Sequence, residues 1–119
     1  MAWKKPTEQE LTSRLSRSEI TAYSRSSDFG TDTVEAVLSQ AAGFARDAIR
    51  SGGRCSLSPN DGEIPEGLFR PVLAIAILDL LTRINVVPNE ARTKAYDKAT
   101  SLFDKIAAGQ ITPPDGVDP

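Results

Sequence analysis

The chain has 119 residues, enough for one domain with a single modest core. Fourteen Lys and Arg stand against sixteen Asp and Glu, so no global attraction to nucleic acid or to an anionic membrane is built in. There is no His and one Cys, which excludes a His-based triad, a His-liganded metal, an internal disulfide and a Cys-rich zinc site, and no cofactor is expected.

The start, MAWKKPTEQE, lacks the apolar core of a signal peptide. The longest apolar run, Val72 to Leu78, falls far short of the roughly 18 residues of a membrane span. A soluble protein without membrane contact is the expectation. The fold expected is all-α: a small bundle of three longer helices at about 31–51, 66–85 and 89–108, preceded by two short helices and followed by an extended C-terminal tail. The ordered core should span about 7–109.

Taken in chain order, TEQE at Thr7–Glu10 has the spacing of a capping box and predicts a short helix over roughly Glu8–Leu15. SRSE at Ser16–Glu19 repeats the signal and predicts a second short helix carrying Ile20 and Tyr23. Two such helices are stable only when packed on something larger. From Thr31 onward, Val34, Val37, Leu38, Ala41, Phe44, Ala45, Ala48 and Ile49 fall on one helical stripe, with Glu35, Ser39, Arg46 and Arg50 away from it. Gly52 and Gly53 stop this helix.

RCSLSPNDGEIP, Arg54–Pro65, is rich in turn formers and offers Leu57 and Ile64 as apolar anchors, so a covering loop is expected. The central helix follows, with Pro71 near enough to its start to be tolerated. On a wheel of 100° per residue, Leu73, Leu80, Ile77, Leu81, Ile84 and Ala74 cover the half opposite Asp79. Val72, Ile75, Ala76 and Leu68 lie within about 60° of Asp79, on the side that should be wet. NVVPNE, Asn85–Glu90, turns the chain into the last helix, whose apolar seam is expected at Ala91, Ala95, Ala99, Leu102 and Ile106, with Tyr96 and Phe103 to the side. Gly109 ends it, and QITPPDGVDP has the composition of an extended tail.

No constellation for catalysis emerges. Asp79 has Arg83 one turn on, the orientation of an ion pair. Cys55 is a lone thiol with no possible His partner, and Gly52–Gly53 lacks the continuation of a phosphate loop. Lys4, Lys5, Arg14, Arg17 and Arg25 are interspersed with Glu8, Glu10 and Glu19, the pattern of an ordinary solvated surface.

The order of elements resembles the small helical head-tail connector proteins of tailed bacteriophages, also called adaptor or head-completion proteins, including their Mu-like members. The similarity lies in ELTSRLSRSEITAYS (Glu10–Ser24), VEAVLSQAAGFARDAIRSG (Val34–Gly52), FRPVLAIAILDLL (Phe69–Leu81) and AYDKATSLFDKIAAGQI (Ala95–Ile111). The loop GGRCSLSPNDGEIP departs from it, where relatives often carry a Tyr and a Pro-Leu phrase. The resemblance implies a non-enzymatic virion protein, made in the host cytoplasm and placed at the head-tail junction. There it forms a ring, often twelve-fold, between the portal protein and a tail-side connector or tail terminator protein, and DNA only passes through.

A ring subunit meets neighbours on two different sides, so surface beyond its own core must be apolar. Val72, Ile75 and Ala76 beside Asp79 and Arg83 are the expected subunit or partner interface, covered either by the N-terminal helices or by an adjacent subunit. The ends, MAWKKP and the tail with Ile111, Pro113 and Pro114, are the expected docking arms. The alternative is a small regulatory DNA-binding protein using the two N-terminal helices as a helix-turn-helix, although SEITAYSRS carries few base-reading side chains beyond Arg25.

Overall fold

The computed structural model describes residues 3–25, 31–53, 57–60, 62–84 and 86–111. The order is β1 (Trp3–Lys4), α1 (Glu8–Thr12), α2 (Arg17–Arg25), α3 (Thr31–Gly52), β2 (Ile64–Pro65), a 3-10 turn (Glu66–Leu68), α4 (Phe69–Arg83) and α5 (Glu90–Ala107). The all-α expectation holds, with one addition. β1 and β2 form a two-stranded antiparallel ladder that sets Trp3 opposite Pro65 and Lys4 opposite Ile64. Trp3 is buried in this ladder, so Trp3 and Lys4 belong to the body of the protein and the expected N-terminal docking arm is corrected to that extent.

Both capping boxes form. The Thr7 hydroxyl accepts from the Glu10 amide while the Glu10 carboxylate accepts from the Thr7 amide, and α1 follows. The Glu19 amide donates to the Ser16 hydroxyl and the Ser16 amide to the Glu19 carboxylate, and α2 follows.

Helices α3, α4 and α5 pack mutually, each against the other two, and make the core. α3 buries Val34, Val37, Leu38, Ala41, Ala45, Ala48 and Ile49 as its periodicity requires. It ends at Gly53, which takes φ of 65° and donates its amide to the Ile49 carbonyl. Gly52 has a different task. A Cβ there would collide with the Ile106 carbonyl of α5, so the absent side chain lets the two helix ends touch.

α4 opens through the 3-10 turn rather than as α-helix from residue 66. Pro71 falls in its first turn, where an amide has no intrahelical acceptor and a proline costs little. On α5 the buried residues are Ala99, Phe103 and Ile106, with Tyr96 and Leu102 half-buried, while Ala91 and Ala95 are exposed. The expected seam holds at Ala99 and Ile106 and is corrected at Ala91 and Ala95, which are exposed, and at Phe103, whose large ring turns inward instead of lying to the side. Asn89 caps this helix by accepting from the Arg92 amide.

Two polar side chains expected in solvent are buried. Arg46 on α3 donates Nη1 to the Glu63 carbonyl and Nη2 to the Ser58 carbonyl, each at 2.8 Å, and so pins the loop that returns to β2. The Ser58 hydroxyl donates to the Glu63 carboxylate and holds that carboxyl below its ordinary range. Glu19 on α2 is buried against Arg92 of α5. Arg54 and Cys55 lie outside the described residues.

Candidate functional site

Helical spacing sets one face of each long helix around a shared groove of about 330 Å³. From α3 come Val37, Gln40, Ala41 and Phe44; from α4, Ile75, Leu78, Asp79 and Thr82; from α5, Tyr96 and Thr100. Val37 and Ala41 are buried, Ile75 and Leu78 are half-buried, and Phe44 is 45 % exposed. Phe44 packs edge-on against Phe103, ring centroids 5.6 Å apart at 89°, a contact that supports the ring although the residue stays exposed.

The rim is polar and tied down. Arg83 donates Nε to Asp79 Oδ1 at 3.4 Å and Nη2 to Gln40 Oε1 at 3.2 Å, joining α4 to α3 across one end of the groove. Both partners of the ion pair are about a third exposed, so its contribution is a few tenths of a kcal/mol, on the order of an exposed i, i+4 pair. The Thr82 hydroxyl donates back to the Leu78 carbonyl at 2.9 Å. What this arrangement offers chemically is an apolar floor with a fixed hydrogen-bonding edge, the make-up of a surface that buries another surface.

Of the expected interface residues, Ile75, Asp79 and Arg83 meet at this groove. Val72 and Ala76 do not: both are completely buried within the chain itself, and their place in an intersubunit surface is corrected. α4 has α3 and α5 on two sides and α1, with the buried Leu11, on a third, which explains its apolar residues on nearly every side. Of the two N-terminal helices, α1 packs on α4. Ile111 is half-buried and packed against the hydrophobic core of its own chain; Pro113 and Pro114 lie outside the described residues.

Phe44 was expected in the core stripe. Its position carried a signal: on a wheel of 100° per residue it lies about 80° from Val34, the extreme edge of that stripe. Among the described residues, no three His, Cys, Asp or Glu side chains cluster as a metal site would need, and no helix is long and apolar enough to cross a membrane. Comparison with protein-family models, with curated proteins and with solved structures finds no match for this chain.

Proposed function

We propose that this chain is a structural assembly protein, a head-tail connector of the kind its sequence resembles, and that the groove across α3, α4 and α5 is a surface through which it meets a neighbouring copy or the portal. The observation that carries the reading is Phe44, a large aromatic left 45 % exposed over an apolar floor. Buried aromatic anchors supply much of the binding energy of protein interfaces, and a polar rim such as Gln40, Asp79 and Arg83 fixes register. In this reading the protein is not an enzyme, joins a ring at the head-tail junction, and touches DNA only as it passes.

The DNA-binding alternative has less support. α2, its recognition helix, turns Glu19 inward and is fastened side-on to α5 through Arg92.

The experiment is native mass by light scattering, with the protein alone and mixed with the portal protein encoded near it. A ring, or a fixed stoichiometry with the portal that Phe44→Ser abolishes without loss of helicity, supports the proposal. A monomer indifferent to the portal, or assembly that Phe44→Ser leaves unchanged, refutes the role assigned to the groove.

A further inference from the structure

Helix α2 is attached differently from every other long element. Among its described side chains the one that is buried is a carboxylate, Glu19, while its large aliphatic residue, Ile20, is 43 % exposed. Ala22 and Tyr23 are half-buried against the core. A nine-residue helix with so little apolar burial is marginal on its own.

The chain on either side is firmly held. Leu11 and Leu15 are buried upstream, and Val34 is buried downstream. Between those anchors, Tyr23 of α2 faces the Glu8 carboxylate of α1, and Glu19 is clamped to α5. Arg92 donates Nη2 to Glu19 Oε1 at 2.6 Å and Nε to Oε2 at 3.1 Å, a two-pronged fork, and Nη2 also donates to the Arg14 carbonyl at 2.7 Å. Arg92 is itself fixed in the first turn of α5, where its amide donates to the Asn89 cap.

Glu19 serves twice. The oxygen gripped by Arg92 also accepts the Ser16 amide at 2.7 Å, the bond that starts α2. Losing the grip of Arg92 weakens the helix start, and losing the helix start frees the carboxylate from Arg92. The two contacts are therefore coupled.

We propose that α2 is a strap that opens and closes over the three-helix body as a separate cooperative unit, held shut by the Glu19–Arg92 clamp. Its opening bares the Arg92 guanidinium and the surface beneath Ala22 and Tyr23 while α3, α4 and α5 stay folded. The strap stands on the clamp geometry and is independent of the connector reading.

Native-state hydrogen exchange on the full chain, followed across low denaturant concentrations, tests it. Amides of α2 are expected to exchange about 100-fold or more faster than those of α3 to α5, through an opening that denaturant hardly promotes, as sub-global units do. Merging of α2 with the global unfolding of the other helices overturns the proposal. Glu19→Gln and Arg92→Gln are each expected to speed exchange in α2 roughly tenfold or more, with α3, α4 and α5 unchanged, and Arg92→Lys is expected to fall between, because lysine keeps the charge and loses the fork. Unchanged exchange in α2, or equal loss of protection in all helices, overturns it as well.

Discussion

Two glycines inside α3 meet opposite surroundings, and alanine in their place should move stability in opposite directions. At Gly43 a Cβ meets nothing within 4 Å, so Gly43→Ala collects the helix-propensity difference of about 1 kcal/mol. At Gly52 a Cβ lands on the Ile106 carbonyl, and the next neighbour is the Gly109 Cα at 3.8 Å. All of these are main-chain atoms of α5 and its cap, with no side chain to rotate aside. Relief requires the ends of α3 and α5 to part, which disturbs Ile49, Phe103 and Ile106 at the buried base of the bundle. Overpacking of this kind costs about 1–3 kcal/mol or more, and the propensity gain is small at a helix's last residue, so the net is a loss of about 1–3 kcal/mol. For a chain of this size each kcal/mol moves Tm by about 3–6 °C. Urea and thermal denaturation followed by circular dichroism at 222 nm would read both variants against the parent. A Gly52→Ala protein as stable as the parent, or stabilised like Gly43→Ala, would refute the close approach of the two helix ends.

Three more perturbations probe the polar and aromatic fixtures. Hydrogen bonds from Arg92, opposed by burial and aided by the Ser16 amide, hold the Glu19 carboxyl below its ordinary 4.5. A group whose folded pKa is depressed stabilises fully above its unfolded pKa and loses that contribution as pH falls through the folded one. Protection of the α2 amides, taken relative to their intrinsic exchange rates at each pH, should therefore fall on acidification below about pH 4.5, and Arg92→Gln should flatten the dependence; equal slopes in both proteins would show that another group is responsible. Arg46→Ala removes the donor of two loop carbonyls and should cost about 2–3 kcal/mol in urea denaturation, with Arg46→Lys recovering part, since an ammonium lacks the planar fork. Trp3 is the single tryptophan, so native fluorescence reports β1 directly: blue-shifted emission is expected, along with a loss of about 3–5 kcal/mol for Trp3→Ala, and solvent-like emission from the native protein would contradict the ladder.

What the sequence made legible was whatever acts within one element. The stripe from Val34 to Ile49, the boxes at Thr7–Glu10 and Ser16–Glu19, and the glycines at the ends of α3 and α5 are all local, each decided by residues at most a few turns apart. What escaped depends on distant partners. A two-residue strand has too little length for alternation to show, and Trp3 pairs with Pro65 only because the loop after α3 returns along the body. That loop returns because Arg46 reaches two of its carbonyls, a role invisible to a periodicity that sorts arginine onto the wet face. Glu19 looked like an ordinary capping carboxylate because its second partner, Arg92, is 73 residues away.

The same division explains the candidate site. Apolar residues on every side of α4 signalled cover on several sides, and the wheel was right that one neighbour would not suffice. It had no means of saying which cover belongs to the chain. Val72 and Ala76 were assigned outward because only α4 itself was counted, whereas α1, α3 and α5 all pack on α4 and both residues are fully buried. Once that enclosure is complete, the apolar surface left at the groove is shared between α4, through the half-buried Ile75 and Leu78, and the edge of α3, where Phe44 is the most exposed of its apolar residues. Most of the apolar character of α4 therefore serves the chain's own core, and the weight of the proposal shifts to one ring on α3 that packs edge-on against Phe103 and is left 45 % exposed.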